Sequence, residues 1–120
     1  MQHFCTPYFF NVISHIDTFR ENAYSREEMK VVRETRKIFG DQNIPICCTC
    51  VRIPTMGAHP ESIVVETEKA IKPEEIEGIF EKTDGIVVKD DIENNIYPMS
   101  LTSSTKDDVE VSRIRQNLIY

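Results

Sequence analysis

The sequence predicts an α+β domain, a mainly antiparallel or mixed sheet with its helices on one face, and three observations carry that prediction. The apolar pattern switches between loose alternation and helical spacing in the order strand, helix, two strands, helix, strand, loop, strand. The connection between the two central strand-like runs is too short for a crossover, which favours antiparallel pairing. A chain of 120 residues is long enough for one core, so residues 1–120 are read as a single domain without an internal linker.

Residues 9–17, from Phe9 to Asp17, are rich in aromatic and branched side chains with a rough period of two, and are read as the first strand. Ser25-Arg26-Glu27-Glu28 has the form of a capping box. It predicts a helix over about 26–39, with Met29, Val32 and Phe39 near one face, Val31 and Ile38 flanking it, and Gly40-Asp41 as the stop. Residues 46–53 form an apolar run closed by Pro54 and are read as a buried strand. Past Gly57 and Pro60 comes a strand over 62–68, antiparallel to the preceding one. Pro73 suits the first position of a second helix, in which Ile76, Ile79 and Phe80 share a face, and Thr83-Asp84-Gly85 ends that segment. Strands over 85–89 and 107–115 complete the prediction, and the polar stretch Leu101-Thr102-Ser103-Ser104-Thr105 between them is read as a mobile loop.

Composition excludes several function classes. With 40% hydrophobic and 28% charged residues the chain matches a globular domain rather than a disordered one. No apolar run reaches membrane-spanning length, and the opening Met1-Gln2-His3-Phe4 lacks the basic start of a secretory signal, so a cytoplasmic address is expected. A net charge of -6 gives no general attraction to nucleic acid or anionic lipid, and an anionic ligand would have to be held by a few local cations. The cysteines Cys5, Cys47, Cys48 and Cys50 lack paired CxxC spacing and a second ligand pair, so they are read as reduced thiols and no metal is expected.

Arg52 is the sharpest candidate, because a guanidinium at the end of an apolar strand must find an anion or reach solvent past the strand end. A structural carboxylate or an escape past Pro54 would serve; so would a substrate carboxylate gripped in bidentate geometry. His59 lies on the following loop, where an imidazole is either a surface residue or a proton shuttle in a cleft. Glu27, Lys30, Glu34 and Lys37 form a charged stripe on the first helix, the ordinary look of a solvated face. Its N-terminal members, Glu27 and Lys30, alternatively face a ligand at the positive end of the helix dipole. His15 and Asp17 share strand parity and are given no catalytic role. There is no GxGxxG after a strand and no G-x-S-x-G elbow, so neither a self-contained nucleotide site nor a serine hydrolase is supported.

Taken together, separate motifs in order resemble aspartate-semialdehyde dehydrogenase: Phe10-Asn11-Val12-Ile13 with His15-Ile16-Asp17; Glu27-Glu28-Met29-Lys30 with Glu34-Thr35-Arg36-Lys37-Ile38; Thr49-Cys50-Val51-Arg52-Ile53-Pro54 with His59; then Asp90-Asp91, Tyr97-Pro98 and Arg113-Ile114-Arg115. The resemblance implies a catalytic and dimerisation domain like the C-terminal domain of glyceraldehyde-3-phosphate dehydrogenase. It implies an NADPH-dependent reduction of aspartyl phosphate to aspartate semialdehyde and phosphate, toward lysine, threonine and methionine. Arg52 would hold the substrate's α-carboxylate, Glu27 its α-amino group, Lys30 its phosphate, and His59 would be the acid-base group. NADP and the cysteine nucleophile belong mainly to a nucleotide-binding half with no counterpart here, so no cofactor-binding residue is assigned and this chain alone is expected to be inactive. A homodimer or dimer of dimers is implied. Ser14 stands where the family usually has proline and Ser112 where it has glycine. The alternative is a truncated, non-catalytic self-association domain derived from the enzyme.

Overall fold

The structure, a computed structural model, describes residues 10–119. The chain divides into two compact units, Met1–Pro54 and Thr55–Tyr120. Cys5 and Phe9 lie outside the described residues.

Helix α1 of the first unit spans Arg26–Phe39, the range its end signals predict. Ser25 Oγ accepts from the Glu28 N–H at 3.3 Å while Glu28 Oε2 accepts from the Ser25 N–H at 2.6 Å, so both halves of the capping box are made. At the other end Gly40 adopts φ 69°, a left-handed conformation that a glycine enters without steric cost. Val32 is the one buried apolar side chain among the described residues, at 7% exposure. Phe39 and Ile38 point to solvent instead, 73% and 81% exposed.

The first and second expected strands form no ladder. Ile13 and Arg52 make an isolated antiparallel bridge, with N–H to carbonyl distances of 2.9 and 2.8 Å. Phe10 and Asp17 take φ of 61° and 66°, and left-handed residues at both ends of the run stop it from extending. His15 packs its ring on Phe19 at a centroid distance of 5.1 Å, whereas Asp17 accepts from the Thr18 N–H at 2.7 Å and lies 3.8 Å from Arg26.

In the second unit α2 spans Pro73–Phe80, with Pro73 in its first turn and the Glu75 carboxylate accepting from the Lys72 N–H at 2.9 Å. It packs on β1, Ile86–Val88, which pairs with β2, Val109–Val111. That two-stranded ladder is parallel, with Ile86 opposite Val109, where a mainly antiparallel or mixed sheet was expected. Parallel neighbours need a long connection. The stretch read as an irregular loop is that connection, and it carries the short helix α3, Ser100–Ser103. The expected strand over 62–68 joins no ladder among the described residues, and Ile63, Val64 and Val65 are 69 to 72% exposed. Strand-forming residues make a strand only when another segment takes up their backbone N–H and C=O groups. No helix of the described residues is long and apolar enough to cross a membrane.

Next to Ser112 it is Arg113, not Ser112, that takes a left-handed φ of 59°. The Ile114 N–H that follows donates to Asp90 Oδ2 at 3.1 Å, tying the chain after β2 to the chain after β1.

Glu110 on β2 is covered completely and is held by the Lys106 ammonium, by Ser103 Oγ at 2.6 Å and by Lys89 at 3.6 Å. Hydrogen bonds from Lys106 and Ser103 pull its carboxyl down to about 2. A folded value below the unfolded one means stability that is whole above the ordinary carboxylate range and is lost as pH falls toward 2. Thermal unfolding followed by circular dichroism should therefore show a melting temperature that drops between pH 5 and pH 3, roughly the window below the ordinary carboxylate value. Glu110→Gln should lower the melting temperature at neutral pH and flatten that drop; an unchanged pH dependence would contradict the assignment.

Candidate functional site

The opening turn of α1 brings together two of the predicted site residues. Lys30 Nζ lies 3.4 Å from Glu27 Oε1, one turn along the same face. Both line a cleft of about 570 Å³ in the first unit, together with Asp17, Arg20, Arg26, Arg33 and Glu34. The arginines were not singled out from the sequence, although Arg26 and Arg33 fall four residues before and three after Lys30, a spacing that places all three on one side of a helix. The cleft is thus mixed in charge, four cations (Arg20, Arg26, Lys30, Arg33) facing three anions (Asp17, Glu27, Glu34), and it runs along α1 from its first turn. Its charged lining suits a polar ligand better than an apolar one.

Arg52 belongs to the same unit. It is half-buried, and its backbone is locked to Ile13 through both of its ladder groups. Two residues earlier, the Cys50 N–H donates to Glu28 Oε1 at 2.9 Å, which ties the Arg52 segment to the first turn of α1. Glu28 is 7% exposed, and the N–H groups of Ser25 and Cys50 hold its carboxyl below the usual carboxylate range. This long-range contact was not readable from the sequence, where Glu28 shows only its capping role.

His59 falls in the second unit, exposed on the loop after Pro54. The loop runs close to the end of α3: a Cβ on Gly57 would come within 2.9 Å of Ser104 Cβ, so no side chain fits there. The structure therefore groups Glu27, Lys30 and Arg52 in one unit and carries His59 on the other.

Cys48 is not poised for nucleophilic work. Cys48 donates to the Glu28 carbonyl oxygen at 3.4 Å, and burial, with the charges of Cys50 and Glu28, pushes its thiol up to about 11. Almost none of it is thiolate at neutral pH. Cys47 is exposed and lies 3.8 Å from the Tyr24 hydroxyl, a contact that raises the phenol. The described residues contain no group of His, Cys, Asp and Glu placed to hold a metal ion.

The family described as semialdehyde dehydrogenase, dimerisation domain, matches residues 1–119. The chain belongs to that family. Aspartate-semialdehyde dehydrogenase of Aquifex aeolicus is 46% identical over 111 residues, covering 92% of this chain and 33% of the relative. The enzyme of Helicobacter pylori strain J99 is 43% identical over 115 residues, covering 96% of this chain and 33% of the relative. The crystal structure of aspartate semialdehyde dehydrogenase II from Vibrio cholerae superposes with a TM-score of 0.83 at 34% identity, over 98% of this chain and 34% of that one. A second structure of the Vibrio enzyme, complexed with ASA, matches to the same degree. The chain spans about a third of the length of the relatives it matches.

Proposed function

We propose that this chain is the substrate-gripping and subunit-joining part of an aspartate-semialdehyde dehydrogenase that reduces aspartyl phosphate with NADPH in amino-acid biosynthesis. The observation that carries the reading is the charged cleft along the first half of α1, where Glu27 and Lys30 stand together on a helix tied to the Arg52 segment. Arg52 takes the α-carboxylate in its planar fork, Glu27 accepts from the α-ammonium, and Lys30 offers a point charge to the phosphate. The Arg26 and Arg33 side chains beside Lys30 add to the field that draws a phosphorylated substrate in. His59 holds and returns the proton that accompanies hydride transfer. The hydride would be supplied by NADPH, leaving NADP, with the cofactor held mainly by the nucleotide half of the enzyme, which would also carry the cysteine nucleophile. Within this chain no glycine-rich phosphate loop competes for that role.

The catalytic and dimerisation domain is proposed to act as a homodimer or dimer of dimers in the cytoplasm. Support comes from the family to which the chain belongs and from the exposed apolar run Ile63-Val64-Val65, whose backbone joins no ladder among the described residues. The test is turnover by the intact enzyme carrying this sequence. NADPH oxidation with aspartyl phosphate, and NADP reduction with aspartate semialdehyde plus phosphate, are expected from it, and neither from residues 1–120 alone. An intact enzyme inactive in both directions would leave the alternative, a self-association domain without catalysis.

A further inference from the structure

We propose that Glu28 is a positioning residue: its carboxylate holds the Arg52 segment against the turn of α1 that carries Glu27 and Lys30, fixing the spacing between the grips on the substrate's two ends. The inference rests on the function proposed above. In an ordinary capping box the acidic side chain serves its own helix alone. Here one oxygen does so, accepting from the Ser25 N–H at 2.6 Å, and the other accepts from the N–H of Cys50, 22 residues along the chain. A second strap runs beside it, from the Cys48 thiol to the Glu28 carbonyl oxygen at 3.4 Å. Ser25 is wholly buried and Glu28 nearly so, so water does not compete for these bonds. Arg52, two residues on from Cys50, is tied on its other side to Ile13, and its backbone is thereby held from two directions.

The charge itself is required, because the carboxylate faces a backbone N–H at each oxygen. A glutamine offers one acceptor oxygen and must turn its NH2 toward the remaining donor. Losing one such bond leaves a buried N–H unsatisfied and frees the Arg52 segment to shift.

The experiment compares Glu28→Gln with Ser25→Ala in the intact enzyme, at a temperature well below either variant's unfolding. Ser25→Ala removes a helix-cap bond and leaves the Cys50 contact in place, so it should lower thermal stability while the KM for aspartate semialdehyde holds. Glu28→Gln should raise that KM about tenfold with kcat changed less than about threefold, as expected when ground-state capture is loosened by loss of a charged hydrogen bond. A KM no higher than in Ser25→Ala overturns the proposal. Should Glu28→Gln not fold, amide hydrogen exchange on the unaltered enzyme decides. Exchange of the Cys50 N–H as slow as that of the Glu28 and Met29 amides supports the tie, and exchange at the rate of an exposed amide overturns it. An inactive wild-type enzyme fails differently, removing the functional reading first and this proposal with it.

Discussion

Replacing His59 by Asn in the intact enzyme should lower kcat by about 10² to 10⁴-fold, the usual worth of a positioned acid-base group. Asparagine keeps a polar side chain of similar bulk but neither gives nor takes a proton near neutral pH. The KM for aspartate semialdehyde should stay within about threefold, because the substrate's carboxylate and ammonium are held by other residues. His59 is exposed on its loop, so the substitution costs little folding energy and the loss of rate can be read as chemistry. A kcat within about tenfold of wild type would remove His59 from the mechanism.

Arg52→Ala carries the second large effect, and it falls on capture instead of turnover. A bidentate, charge-assisted pair is worth roughly 1.5 to 3 kcal/mol, which predicts a KM for aspartate semialdehyde raised about 10 to 150-fold. Arg52→Lys should recover only part of it, since an ammonium cannot present the paired N–H groups of the guanidinium fork. Affinity for NADPH should be unchanged in both variants. A change confined to NADPH would place Arg52 at the cofactor and not at the substrate. The backbone of residue 52 keeps its bonds to Ile13 in either variant, so the segment itself is expected to hold its course.

Helices α1 and α2 were legible in the sequence and the pairing of the strands was not, for one physical reason. Ser25, Glu28 and Gly40 mark the ends of α1 through contacts no more than five residues apart, and Pro73 does the same for the start of α2. A strand is defined by a partner far along the chain. Ile63-Val64-Val65 has the composition of a strand and joins no ladder among the described residues, while the short β1 and β2 are joined in parallel by a connection that looked like loop. The site divides the same way. Glu27 and Lys30 were visible as helical neighbours, and Arg52 as a guanidinium with nowhere apolar to go. The second oxygen of Glu28 was hidden, since nothing local announces a bond to Cys50. Arg26 and Arg33 blended into an ordinary charged helix face until Lys30 and Glu27 gave that face a direction.

Arg52's recognition of the α-carboxylate is tested most directly by pairing the variant with a substrate that lacks the same group. In the intact enzyme, 3-aminopropanal, which is aspartate semialdehyde without its α-carboxylate, should show a kcat/KM lower by about 10 to 150-fold with Arg52 present. With Arg52→Ala the two substrates should be used almost equally well, because the carboxylate has lost its counterpart. A preference for aspartate semialdehyde that survives undiminished in the variant would mean that another group reads the carboxylate, and the assignment of Arg52 would be wrong.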